Sequence, residues 1–398
     1  MRDNLPHTII YYLKTVKVKG GNMIYLDNAA TGGYKPNCVI DKTVSVIKYL
    51  NANAGRSGHR LSKTGLEFIY SARKTVSDFF NNNSVEKVIF TKNCSEALNT
   101  AILGTLKVGG HIITTVFEHN SVLRPLYSLK EKGVITLTVV SPENGKNITA
   151  SDIEKAITPN TYLVIVNNIS NVTGTVNDIE NIGLYLKDKN ILFMVDGAQS
   201  AGHINIDMNK FAINILCVAG HKGLYGIAGS GALIIDEKTD ISPTFCGGTG
   251  TETFNLSAPT NYPEKLEYGT LNLPAICSLD EGIRYIGNNL DFISKQLSLS
   301  SEFVIDKLSK INGVKTYSTP NPAGIVAFSV KDNSSIEVAE ILSDNFNIAV
   351  RGGFHCAPLV HKFLNTEEDG LVRASICLNN TKRELNALID AVKYITSF

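Results

Sequence analysis

The chain has 398 residues, 43% hydrophobic and 19% charged, with a formal net charge of +1. That is an ordinary globular balance on a chain long enough for two domains. The absence of any basic or acidic block removes a charge-driven affinity for nucleic acid or an anionic membrane. No apolar run approaches the ~18 residues needed to cross a bilayer, and no signal peptide is visible. Seven cysteines are scattered without CxxC pairs, which argues against a zinc site or a disulfide framework. Isolated thiols without an export signal read as cytoplasmic.

The first 22 residues differ in character from the rest. KGGN just before Met23 suits purine-rich codons resembling a ribosome-binding site, so Met23 is expected to be the natural start and residues 1–22 an extension. The competing expectation is a genuine short amino-terminal arm.

From there, short runs rich in β-branched residues alternate with helical patterns. The strand candidates are Lys87–Thr91, His111–Thr115, Ile135–Val140, Tyr162–Val166, Leu192–Asp196, Ile213–Val218 and Gly231–Ile235. Most are apolar without alternation, as strands buried on both faces are. Helices are expected at Ser95–Leu106, Asn120–Lys132 and Asp178–Lys187, and the alternation implies a mainly parallel sheet covered by helices. After Gly269 the pattern changes. Two long helical stretches run from about Pro274 to Lys310, then come a strand at Gly324–Val330, a helix at Ser335–Asn345, and short strands near IAVR and VRASIC. The final helix opens on Thr381 and Glu384, a capping-box spacing.

Ligands of open α/β sheets bind where strands end and helices begin. KVIFT is followed by KNCSEA. Asn93 or Ser95 would cap a helix there, and a capped helix start with free N–H groups suits a phosphate. HIITT is followed by His119, YLVIV by Asn171 in a turn before Gly174, and LFMV by Asp196 and then Gln199. INILCVA is followed by Gly220-His221-Lys222. Taken singly, each has an ordinary explanation as a cap, a turn or a surface cation. Together, a histidine, an acid, a glutamine and a lysine at consecutive strand ends converge on one pocket.

The ordered motifs YLDNAAT, NANAGRSGHRLS, TKNCSEA, FEHNS, SNVTG, VDGAQS, GHKGLYG, GGTGTET, EYGTLN, AVRGGFHCAPL and VRASICLNN carry a resemblance. From about Met23 to Phe398 the chain resembles the pyridoxal-phosphate enzymes of the class V aminotransferase family, in the branch of cysteine desulfurases and selenocysteine lyases. The resemblance implies the fold type I of such enzymes. Its expected parts are a large cofactor-binding domain over residues 23–270 and a small C-terminal α/β domain over 271–398 that carries a catalytic cysteine loop. The first residues of the large domain are expected against the small one.

The resemblance also implies roles. Lys222 looks like the lysine that bonds the cofactor, a task suited to a desolvated amine. Asp196 would face the pyridine nitrogen, His119 would stack on the ring, and Gln199 would reach the phenolic oxygen with Asn171 close by. Ser95, His221 and the backbone at Cys94 would hold the phosphate. Gly269 and Thr270 would reach the phosphate of a neighbouring subunit, which implies a homodimer. Cys356 would take sulfur from L-cysteine as a persulfide, releasing alanine and passing the sulfur to a small acceptor protein. Cations near a thiol favour the nucleophilic thiolate, and Cys356 follows His355 and Arg351 closely. Arg373 would fork onto the substrate carboxylate, with Ala29, His59, Asn171 and Arg351 on the substrate side. The other cysteines read as inert small hydrophobes. The other readings carried forward are a selenocysteine lyase or another lyase on the same scaffold, and a cofactor-binding scaffold for sulfur delivery. Two departures stand out. Ala219 stands where the family has Ser or Thr, removing a phosphate hydroxyl worth about 1 kcal/mol, and Asn93 stands where it favours glycine.

Overall fold

The computed structural model describes residues 23–50, 52–143 and 145–397, and the reading of residues 1–22 as an extension lies outside them. The chain opens with strand β1 (Ile24–Tyr25) and helices α1 (Asn37–Tyr49) and α2 (Arg60–Phe79). A central sheet follows, built from β2 (Val88–Thr91), β3 (His111–Thr115), β4 (Thr136–Val140), β5 (Thr161–Asn167), β6 (Leu192–Asp196), β7 (Ile215–Ala219) and β8 (Gly231–Ile235). Its order is β2-β8-β7-β6-β5-β3-β4. Only β8 runs against its neighbours, pairing antiparallel with both β2 and β7. The other six strands therefore end at the same edge.

The apolar runs explain the layering. Successive side chains of a strand point to opposite faces. Phe193 and Val195 belong to one buried cluster, whereas Met194 between them belongs to the cluster on the other face. The second cluster is covered by α3 (Cys94–Gly104), through Ala97, Leu98, Ala101 and Ile102, and by α4 (Asn120–Glu131), through Val122 and Leu126. Each large side chain buried this way contributes about 1.5–3 kcal/mol. Strand β4 lies at the sheet edge and is partly exposed, unlike the fully buried β5. Two further helices on this half are α5 (Ala150–Ala156) and α6 (Ile179–Leu186).

After residue 270 come α7 (Leu273–Gly287), packed on α1 and α2, and α8 (Leu290–Leu308). A three-stranded antiparallel sheet of order β12-β10-β9 is made by β9 (Val314–Thr316), β10 (Ile325–Val330) and β12 (Val372–Ser375). Helices α9 (Ser335–Phe346), α10 (Pro358–Leu364) and α11 (Lys382–Ile395) complete the C-terminal part. The Thr381–Glu384 capping box forms as the spacing implies. Strand β1 pairs in parallel with β11 (Ile348–Ala349), which ties the start of the described chain to its C-terminal third. No helix among the described residues is long and apolar enough to cross a membrane.

Candidate active site

Where the parallel strands end, an open cleft of about 480 Å³ is lined by Cys94, Ser95, His119, Asn171, Asp196, Gln199, His221 and Lys222, together with Asn93, Ser121, Asn167, Ala198 and Ala219. The strand-end residues singled out in the sequence thus share one wall. Each is set by local structure. Asn93 caps α3, its Oδ1 accepting from Glu96 N at 2.9 Å. That aims the start of an eleven-residue helix into the cleft, with Ser95 in its first turn. The Ser95 and Ser121 hydroxyls meet at 2.6 Å, and Ser121 reaches His119 Nδ1 at 2.9 Å. A helix start with two hydroxyls beside it is a ready anion site.

His119 caps α4, accepting from Ser121 N at 3.0 Å through Nδ1, so the ring proton sits on Nε2. Burial, with Lys222 nearby, pulls its imidazole down to about 4, which keeps it neutral. His221 is also pulled down to about 4 by burial, with Lys222 and Lys35 adding to the effect. Lys222 has its amine lowered, chiefly because burial disfavours the ammonium, while Asp196 opposes that. Asp196 ends β6 with 4% exposure, and burial raises its carboxyl against the Ala198 N–H and the Lys222 charge. Gln199 donates to the Ala29 carbonyl at 2.8 Å, which ties Ala29 to a cleft residue although Ala29 itself does not line the cleft.

Asn171 sits in the turn Ser170–Thr175. Gly174 closes this turn with φ +76°, and a Cβ there would lie 2.4 Å from the Asn321 side chain. Asn171 Nδ2 donates to the His355 carbonyl at 2.7 Å, so a cleft residue holds the cysteine loop. Asn120 N donates to the Cys356 carbonyl at 2.7 Å from the other side. His355 and Cys356 both occupy the left-handed region, at φ 48° and 57°. Such positions cost on the order of 1–3 kcal/mol each and persist where neighbours over-determine them. Here the two carbonyl hydrogen bonds do so. Arg351 Nη2 donates toward Cys356 Sγ at 3.7 Å. His355 is not a second cation: burial, with Arg373 beside it, holds its imidazole down to about 2. Arg351 alone of the two supplies positive charge at the sulfur.

Arg373 is 1% exposed. Its Nη1 donates to the Asn171 carbonyl and its Nη2 to Asp27 Oδ1, both at 2.9 Å, and its Nε is buried without a partner. Burial pulls the guanidinium pKa down from its usual value, and the Asp27 carboxylate opposes that. His59 lies elsewhere, exposed, with Nδ1 capping α2 by accepting from Ser62 N at 3.2 Å. Gly269 and Thr270 are exposed and do not line this chain's own cleft. Arg56 steadies their loop, donating to the Gly248 and Gly269 carbonyls at 3.1 and 2.7 Å. Below it, Arg73 and Glu267 pair through two 2.9 Å bonds, with side-chain exposures of 6% and 7%.

Asn167, Ser121 and Asp27 were not singled out from the sequence. Asn167 ends the apolar strand β5 just as Asp196 ends β6, and that strand-end position was the available signal. Ser121 follows His119 by two residues. Asp27 lies in the YLDNAAT motif, but nothing local pairs it with Arg373, which it meets across 346 residues of chain.

A model of the family described as Aminotransferase class-V matches residues 24–388, and the chain belongs to that family. It is 34% identical over 382 residues to a probable cysteine desulfurase of Methanothermobacter thermautotrophicus, covering 94% of each chain. It is 34% identical to a probable cysteine desulfurase of Pyrococcus abyssi, covering 93% of this chain and 94% of that one. Among solved structures, the apo cysteine desulfurase of Thermococcus onnurineus NA1 superposes with a TM-score of 0.87 at 33% identity, over 94% of this chain and 95% of that one.

Proposed function

We propose that this chain is a pyridoxal-phosphate-dependent cysteine desulfurase, acting as a homodimer and passing sulfur from L-cysteine through Cys356 to an acceptor. The observation that carries the reading is the shared wall. Half-buried Lys222 and buried Asp196 line one cleft whose Asn171 also grips the loop of Cys356. The names of the relatives support the desulfurase activity in this reading.

The residues fit the cofactor. The side-chain oxygens Oδ1 of Asn167 and Asn171 are buried without hydrogen-bond partners on the cleft wall, and such atoms in a folded protein call for a polar ligand. The start of α3 with Ser95 and Ser121 suits its phosphate, Asp196 its ring nitrogen, Gln199 its phenolic oxygen and neutral His119 its face. When bound, the cofactor supplies an electron sink for the substrate α-carbon. Lys222, whose amine pKa is lowered chiefly by desolvation, would hold it and move protons at that carbon. Arg373 presents a guanidinium already fixed by Asp27 and the Asn171 carbonyl, with Nε still unpaired for a carboxylate. The Cys356 thiolate attacks the substrate sulfur. The S–S bond forms as the carbon–sulfur bond breaks, its electron pair stays with carbon, and protonation there gives the methyl group of alanine. Arg351 suits an anionic sulfur at that position. An acceptor thiol then removes the sulfane sulfur. Gly269 and Thr270, exposed and steadied by Arg56, are offered to the phosphate site of a second copy.

The test is alanine and sulfide release from L-cysteine with a thiol reductant, beside alanine release from L-selenocysteine. The reading expects both products from cysteine and their loss in Lys222→Ala. Alanine from selenocysteine with none from cysteine overturns it in favour of a lyase.

A further inference from the structure

Asp196 is anchored in an unusual way. Its Oδ1 accepts from Ala198 N at 2.9 Å and also from the Cys94 thiol at 3.5 Å. Both bonds fall on the same oxygen, so Oδ2 is the one left for a ring nitrogen. Cys94 is the first residue of α3, 6% exposed, and lines the same cleft. The other charged or titratable groups acting on Asp196 are Lys222, Glu118 and Cys217, and Cys217 stands beside it in register on β7. None of these three reaches the carboxylate with a side-chain hydrogen bond; among the described residues that bond comes from Cys94.

We infer that Cys94 is a positioning residue for Asp196: its thiol proton fixes Oδ1, lowers the basicity of the carboxylate, and so keeps the proton shared with the cofactor on the ring nitrogen. The physical argument is simple. A buried carboxylate tends to take up a proton, and every donor that bonds its anionic form works against that. The backbone supplies one donor and the thiol the second. Burial and the neighbouring carboxylate of Asp196 raise the Cys94 thiol well above its usual range, so it remains a donor. A hydroxyl in its place would do the same work, and a methyl group would not.

This inference rests on the cofactor reading above, and the experiment separates the two. Wild type, Cys94→Val, Cys94→Ala and Cys94→Ser are purified, stripped and reloaded with pyridoxal phosphate labelled with ¹⁵N in the ring. Cofactor dissociation constants and the ring ¹⁵N chemical shift are measured without substrate. The expected result is a shift toward the unprotonated nitrogen in the Val and Ala variants, with binding weakened about fivefold, the size of one modest hydrogen bond. Cys94→Ser is expected to restore both readouts to wild-type values. The Val variant fills the space of the thiol, so it decides the matter should the Ala variant fold poorly. Wild-type shift and affinity in Cys94→Val overturn the inference. So does equal disturbance in Val and Ser, which would mark Cys94 as packing only. Failure of the wild-type protein to take up the cofactor defeats the proposed function itself.

Discussion

Glu118 offers the sharpest stability test, because its burial has a calculable cost. The residue is 0% exposed, on the turn between β3 and α4. Its Oε1 accepts from Thr115 Oγ1 at 2.7 Å and from Asn167 N at 2.9 Å, while Oε2 is buried without a partner. Burial pushes its carboxyl up from 4.5 to about 8; the nearby Asp196 charge adds to this, and the two hydrogen bonds oppose it. The folded state therefore holds a proton that the unfolded chain releases from pH 4.5 upward. Stability from this group is fully present below 4.5 and is lost as pH rises through about 8. Each unit of pH in that window costs about 1.4 kcal/mol, or about 3 kcal/mol by neutral pH. Glu118→Gln keeps the acceptor for Thr115 and Asn167 and removes the titration. Denaturant unfolding of both proteins at several pH values from about 5 to 8 measures the effect. The variant should gain steadily on wild type with rising pH, by about 3 kcal/mol near neutrality relative to acid. A gap that stays constant across this range refutes the reasoning, because Glu118 would then be ionised in the folded protein throughout.

Lys222→Ala should retain no cofactor that borohydride fixes covalently, whereas wild type should lose its visible band on the same treatment; covalent fixation in the variant contradicts the assignment of Lys222. If Gly269 and Thr270 complete a partner's phosphate site, Thr270→Ala should weaken cofactor binding and activity should require two chains; light scattering that shows a fully active monomer at assay concentration contradicts this. Glu267→Gln leaves Arg73 buried without its carboxylate, which should destabilise the protein by about 3 kcal/mol or more in a denaturant titration. An unchanged midpoint would mean that Arg73 finds another partner.

The sheet was legible because its strands are short, apolar and bounded. His111–Thr115, Leu192–Asp196 and Gly231–Ile235 form over the spans expected. Where the limits moved, the cause is pairing geometry: β7 begins at Ile215, opposite Met194, rather than at Ile213. The cleft was legible for a different reason. A parallel sheet puts its functional side chains at strand ends, and His119, Asp196 and Lys222 could be placed there before any contact was known. Partnerships across long stretches of chain could not. Asp27 on Arg373, Cys94 on Asp196 and Asn171 on the His355 carbonyl depend on how distant segments meet. The charge of His355 was misjudged for the same reason. Beside a thiol in sequence it reads as a possible cation, but its ring is buried against the Leu371 carbonyl and beside Arg373, which holds it neutral.

The most direct measurement is the mass of the peptide containing Cys356 after a brief pulse of L-cysteine and rapid quenching without reductant. Sulfur transfer through this residue requires a gain of one sulfur atom on Cys356, absent before the pulse, absent in Lys222→Ala, and removed by a thiol as sulfide appears. Alanine formed at the wild-type rate by Cys356→Ala, or a pulse that leaves Cys356 unmodified while alanine accumulates, would contradict it.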